Sequence, residues 1–162
     1  MTTPGQSFEP ASGDGPPPPE AGRAAELRTA YEGLLQIRRL VNGPAGAAVP
    51  APWELRLMPR AVALVLEAAG IPASAQDPQD PQDPQDAEVR RIRTGYRVGP
   101  AASGEDRVEV TWLGPPGGGA AEEEQERLTA CAAVLEPLGW VCLLYRGPRR
   151  RRFLEVEPPP AS

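Results

Sequence analysis

In Arg107-Val108-Glu109-Val110-Thr111-Trp112-Leu113, charged or polar residues alternate with apolar ones from Arg107 to Trp112. A period of two is the signature of a half-buried strand. Val108, Val110 and Trp112 therefore point inward, and Arg107, Glu109 and Thr111 outward. Upstream, Thr94 to Gly99 reads as a partner strand with Tyr96 and Val98 on one face, and Ser103-Gly104-Glu105-Asp106 has the composition of a hairpin turn. Downstream, Gly114 to Gly119 breaks the pattern, and a helix runs from Ala120 to about Glu136. Its first turns carry Glu122, Glu123, Glu124 and Glu126, read as a solvated acidic start at the positive end of the helix dipole. Leu128, Cys131, Ala132, Leu135 and Leu138 form its apolar face, and Pro137 and Gly139 close it.

Trp140 to Arg146 reads as a strand, and Arg151 to Glu157 returns as another with Leu154 and Val156 on one side. The order strand–strand–helix–strand–strand over residues 88–157 predicts an α+β domain. Trp140, Cys142 and Leu144 would face one way and Val141, Leu143 and Tyr145 the other, so the strand is apolar on both sides. Such a strand calls for two covering layers. The segment 21–71 offers a second layer for the other sheet face, and a homodimer joined across the open face is the competing solution. One core is expected to unite Trp112, Leu128, Leu135, Trp140 and Leu144.

Within 21–71 the clearest helix is Ala21 to Asn42, where Leu27, Ala30, Tyr31, Leu34, Ile37 and Val41 recur at helical steps and Asn42-Gly43-Pro44 is the stop. Trp53 to Met58 alternates apolar and charged residues and predicts a short strand or extended arm. Pro59 suits the first turn of a helix over Arg60 to Ala69 that is apolar all round and ends at Gly70. Residues 1–20, with the run Pro16 to Pro19, are expected to be an extended or disordered, solvated tail. The repeat Gln-Asp-Pro from Gln76 to Asp86 makes 72–87 an acidic linker, since a proline at every third position forbids helix or central strand. Residues 158–162 are a short tail.

Of the 162 residues, 22 are Pro and 17 Gly, so only a modest core is expected. All 17 cations are Arg; Lys and His are absent and Asn occurs once. That bias fits a GC-rich genome better than a demand for guanidinium at every site. Residues 1–86 hold six Arg against eleven Asp and Glu, and residues 87–162 hold eleven of each, so the whole net charge of −5 lies in the first half. This argues against a general polyanion binder. No secretory signal or membrane-length apolar run is legible, and Cys131 and Cys142 read as free thiols in apolar runs, which fits a reducing cytoplasm.

Without His there is no Ser–His–Asp or Cys–His arrangement, so no catalytic residue is assigned. No cofactor or metal site is assigned either: Gly117-Gly118-Gly119 before a helix would suit a phosphate, but four glutamates follow it. Ala61 to Ile71 has the look of a helix-turn-helix entry, yet Pro72 and the repeat stand where a recognition helix should be. The strongest binding candidates are Arg90, Arg91, Arg93 and Arg97 at the first strand and Arg149, Arg150, Arg151 and Arg152 at the last hairpin, beside Tyr145 and Phe153. If the two strands are neighbours, these could grip a nucleic-acid backbone. A solvated cluster that guards a sheet edge is the plainer reading.

Gly95-Tyr-Arg-Val, Val108-Glu-Val-Thr-Trp, Gly139-Trp-Val and Leu154-Glu-Val together resemble small uncharacterised proteins of high-GC actinobacteria, over residues 94–157. The resemblance implies no activity. The expectation is a non-enzymatic cytoplasmic accessory or regulatory protein that binds another macromolecule, with a nucleic-acid-binding module as the alternative and an enzyme the weakest reading.

Overall fold

A computed structural model describes residues 8–44, 46–77, 90–147 and 151–160. In chain order they form α1 (Arg23–Asn42), α2 (Pro52–Arg56), α3 (Met58–Ala68), β1 (Ala75–Gln76), β2 (Arg91–Arg93), β3 (Gly95–Ala101), β4 (Gly104–Leu113), α4 (Ala120–Leu135), β5 (Val141–Arg146) and β6 (Arg152–Glu157). Strands β3 to β6 make an antiparallel four-stranded sheet in the order β3-β4-β6-β5, and β1 and β2 pair separately. This is the α+β arrangement that the alternation at 107–113 predicts.

The register sorts the side chains into two faces, because directly opposed residues of an antiparallel pair point the same way. Tyr96 opposes Trp112, Val98 opposes Val110, Val110 opposes Leu154, and Leu154 opposes Leu144. That face is the core side: Tyr96, Val98, Val108, Val110, Trp112, Leu154 and Val156 are all buried. Helix α4 lies over it with Leu128, Cys131 and Leu135 buried, and the Arg127 guanidinium sits 5.5 Å from the centre of the Trp112 ring.

Helix α3 covers the same face rather than the opposite one. It packs on β3, β4 and α4, and the Tyr96 hydroxyl oxygen lies 3.4 Å from the Ala63 carbonyl. The second layer expected on the other side of the sheet is therefore not supplied by 21–71. An all-apolar α3 needs apolar neighbours all round, and the space between sheet, α1 and α4 provides them: Ala61 to Leu66 are buried without exception. Helices from before the repeat and strands from after it share one core.

Two local expectations give way to tertiary contacts. Trp53 to Met58 is not extended; Pro52 starts α2 and Glu54 turns back to accept the Ala51 N–H at 2.9 Å. The other partner of Glu54 is Arg38, which binds it twice, at 2.8 and 2.6 Å, with both side chains fully buried. Arg38 also donates to the carbonyls of Ala47 at 2.9 Å and Leu138 at 2.6 Å. Arg38 thus joins the face that the periodicity predicts: Ala30 and Leu34 are buried beside it and Leu27, Tyr31 and Ile37 pack against the core, while Val41, in the last turn, is exposed.

Residues 8–20 contain no helix or strand, as their prolines predict, but they are not solvated throughout. Phe8 is buried under the Arg23 guanidinium, 4.6 Å from its ring centre. The Ala11 N–H donates to Glu67 at 2.8 Å, and Glu67 is itself bound by Arg23 at 2.6 Å. One aromatic anchor and a run of backbone bonds are enough to lay this segment along the fold. Residues 1–7 and most of the Gln-Asp-Pro repeat lie outside the described residues.

Candidate interaction surface

The outer strands of the sheet, β3 and β5, expose their edges to different surroundings. On β3 the outward backbone groups belong to Tyr96 and Val98. Tyr96 N–H donates to Pro72 at 2.9 Å, Tyr96 C=O accepts from Ser74 at 3.0 Å, and Val98 N–H donates to Ser12 at 2.7 Å. The segment 12–14 lies so close that a Cβ on Gly13 (φ +95°) would stand 2.3 Å from the Tyr96 oxygen. Asp14 then receives Arg97 at 3.0 Å and Arg91 at 2.8 Å, while Arg91 also donates to the Gly13 carbonyl. The edge of β3 is thus occupied by the chain itself.

On β5 the bond from Gly147 N–H to Arg151 C=O, 2.6 Å, fixes which residues face β6. Hydrogen-bonding direction alternates along a strand, so Val141, Leu143 and Tyr145 bond inward to β6. Cys142, Leu144 and Arg146 turn their N–H and C=O groups outward, where no strand pairs with them among the described residues. Leu143 is 44% exposed, Leu144 41% and Tyr145 43%. Leu144 therefore does not join the core that Trp112, Leu128, Leu135 and Trp140 share: α4 does not extend over this end of the outermost strand. On the open face Tyr145 stacks on Phe153, ring centres 5.5 Å apart and planes at 28°. Beside them, Arg107 pairs with Glu155 at 3.5 Å and Glu157 at 3.1 Å, and Glu155 accepts from Ser103 at 2.9 Å. The surface is a small apolar patch bordered by a charge network. Edge strands are ordinarily blunted by charge, proline or a bulge; β5 has none before Arg146.

The arginines singled out in the sequence do not form one grip. The strands that carry them are not neighbours, because β4 lies between β3 and β6. Arg91 and Arg97 are committed to Asp14. Arg151 binds Glu124 at 2.9 Å and donates to the Trp112 carbonyl at 3.1 Å. Arg90 stands at the start of β2, where its carbonyl accepts from Asp77 at 3.0 Å. Arg93 and Arg152 make no ion pair among the described residues, and Arg149 and Arg150 lie outside them.

Glu124 is the residue that the reading of a solvated acidic helix start overlooks. It is buried, and its second oxygen accepts the Arg152 N–H at 2.5 Å, where the β4–β6 ladder ends. Its place four residues before Leu128, on the stripe continued by Cys131 and Leu135, was the available signal. Arg91 and Arg151 do meet at a cleft of about 740 Å³ beside the start of α4, but Glu122 and Glu123 line it too, which cancels any selectivity for an anion.

Neither thiol is primed for chemistry. Burial pushes the Cys131 pKa up to about 12; burial, the Glu136 carboxylate and Cys131 push Cys142 to about 12. Among the described residues no group of three or more His, Cys, Asp and Glu could hold a metal ion, and no helix is long and apolar enough to cross a membrane. Comparison with protein-family models, with curated proteins and with solved structures finds no match.

Proposed function

We propose that this chain is a non-enzymatic accessory or regulatory protein of the cytoplasm that works by binding another polypeptide along β5 and the adjoining open face of the sheet. The observation that carries the reading is the row Leu143, Leu144 and Tyr145, exposed on an edge strand whose outward backbone groups have no strand partner among the described residues. An extended segment laid there would gain ladder hydrogen bonds from Cys142, Leu144 and Arg146 and cover apolar side chains on both faces, which is β-strand addition. The nucleic-acid alternative loses support, because Arg91, Arg97 and Arg151 spend their charge on Asp14 and Glu124.

A photo-crosslinking amino acid at Tyr145, compared with one at exposed Arg28 on α1, tests the reading in intact cells that produce the protein. A discrete covalent adduct from position 145 and none from position 28 is expected. No adduct at 145, or the same smear from both, overturns it.

A further inference from the structure

The partner for which β5 is shaped can be narrowed, on the reading just given, by asking which strand its own chemistry matches. The strand must be apolar on both faces, must lack a charge in its middle, and must present free backbone groups at alternate residues. We infer that β5 pairs antiparallel with β5 of a second copy of this chain, across a two-fold axis at Leu143, to give a continuous eight-stranded sheet.

The register follows from two constraints. A two-fold axis perpendicular to the sheet keeps the core faces of both copies on one side, so opposed residues must have the same parity. Ladder bonds must run between the outward groups, those of Cys142, Leu144 and Arg146. Centring on Leu143 meets both conditions: Cys142 opposes Leu144 of the partner subunit in a hydrogen-bonded pair, and Leu143 opposes itself in a non-bonded one. Val141 meets the partner's Tyr145. Every opposed pair between 141 and 145 is apolar, and each Tyr145–Phe153 stack gains a neighbour on the open face. Centring on Leu144 would also align the parity, but it would set Arg146 against the partner's Cys142.

Charge at the ends supports the antiparallel direction. Arg146 lies directly opposite Arg152 within one chain, two like charges on one face with no ion pair among the described residues. Glu136 is exposed, equally without an ion pair among the described residues, and acts on the Cys142 thiol at the other end of the strand. The antiparallel pairing carries Arg146 of each copy to the Glu136 end of its partner. Complementary charges therefore meet at both ends of the joint, and like charges meet nowhere in its centre.

A six-residue strand pair is a small interface, of the class below about 1,200 Å². Sedimentation velocity on the purified full chain from about 5 to 500 µM spans the affinities such an interface gives. A monomer–dimer equilibrium within that range is expected, and Leu143→Lys, which sets two like charges on the axis, should weaken it by more than about tenfold. Glu136→Arg and Arg146→Glu should each weaken it several-fold, and the double variant should restore it. In a Cys142→Ala background, Leu143→Cys should oxidise to a covalent dimer and Leu144→Cys should not, because a non-bonded pair brings Cα atoms to about 4.5 Å, within disulfide reach.

A chain that stays monomeric throughout, or a dimer indifferent to Leu143→Lys and to the charge swap, overturns the inference. Preferential cross-linking through Leu144→Cys overturns the register. The two proposals fail separately: a monomer that still gives an adduct of foreign mass from position 145 leaves β5 as a docking edge for another protein, and a monomer with no adduct removes both.

Discussion

Tyr96 on β3 and Tyr145 on β5 stand on the two outer strands of one sheet, and their surroundings have little in common. Tyr96 is fully buried, its hydroxyl donates to the Ala11 carbonyl at 2.8 Å, and its strand is bonded on the outside by residues 12 and 72–74. Tyr145 is 43% exposed, rests on Phe153, and belongs to a strand bonded on one side only among the described residues. Both strands face the same edge problem. At β3 the chain solves it with residues 12–14 and 72–74; at β5 it leaves apolar side chains exposed. An edge sealed from within serves the fold, and an edge left apolar is what the proposed association would cover.

Tyrosine removal should separate the two edges most. Tyr96→Ala empties a packed site and is expected to cost roughly 3–5 kcal/mol, the range for large aromatic truncations. Tyr145→Ala should cost less than about 1 kcal/mol in the monomer, as at ordinary surface sites. Urea unfolding of both variants measures the difference, and equal losses would break the comparison.

The next effect is at the seal itself. Gly13→Val forces a side chain into a left-handed backbone at φ +95° and against the Tyr96 carbonyl. Strain of that kind costs on the order of 1–3 kcal/mol, enough to lift the segment. Hydrogen exchange at the Val98 amide, which donates to Ser12, should then accelerate, while the Leu143 amide keeps its rate.

Alkali should loosen the fold gradually, the sealed edge included. Burial, and then the Glu67 carboxylate, push the Tyr96 phenol well above its ordinary value of 10.0. Its folded-state pKa is raised, so its contribution is intact below pH 10 and is lost as pH rises beyond it, because only the unfolded chain readily gives up the proton. Cys131 and Cys142, raised from 9.0 to about 12, act with the same sign from about one unit lower. Stability should therefore fall above pH 9, and less steeply in Tyr96→Phe, which at neutral pH forfeits a hydrogen bond of about 1 kcal/mol.

Asp14→Asn should change least. It leaves Arg91 and Arg97 without their carboxylate on a half-exposed site, worth at most about 1 kcal/mol. The variant also tests the arginines as a nucleic-acid site, since it raises the local positive charge. No salt-sensitive retention on DNA is expected from wild type or variant, and retention that grows in the variant would return that reading to contention.

The periodicities at 23–42, 58–68, 95–113, 120–135 and 141–157 were legible because helix and strand impose their steps on neighbouring residues. So was the apolar character of β5 on both faces. Which strand ends the sheet is a matter of long-range pairing, and residues 141–146 carry no local sign of it. The sequence pattern therefore predicted a buried strand where the fold has an exposed edge. The same limit hid Arg38 and Glu54: each looks like a surface residue on its own segment, and only their meeting across 16 positions makes burial tolerable and turns 52–56 into helix. It scattered the arginines too, since a run of like charge records how many guanidinium groups are present and not which carboxylates the fold will bring to them. The sequence by itself determined the elements and their apolar faces, because these depend on steps of two to four residues. The tertiary structure alone decided which edge is sealed, which is open and which charges are spent, because those depend on contacts between residues tens of positions apart.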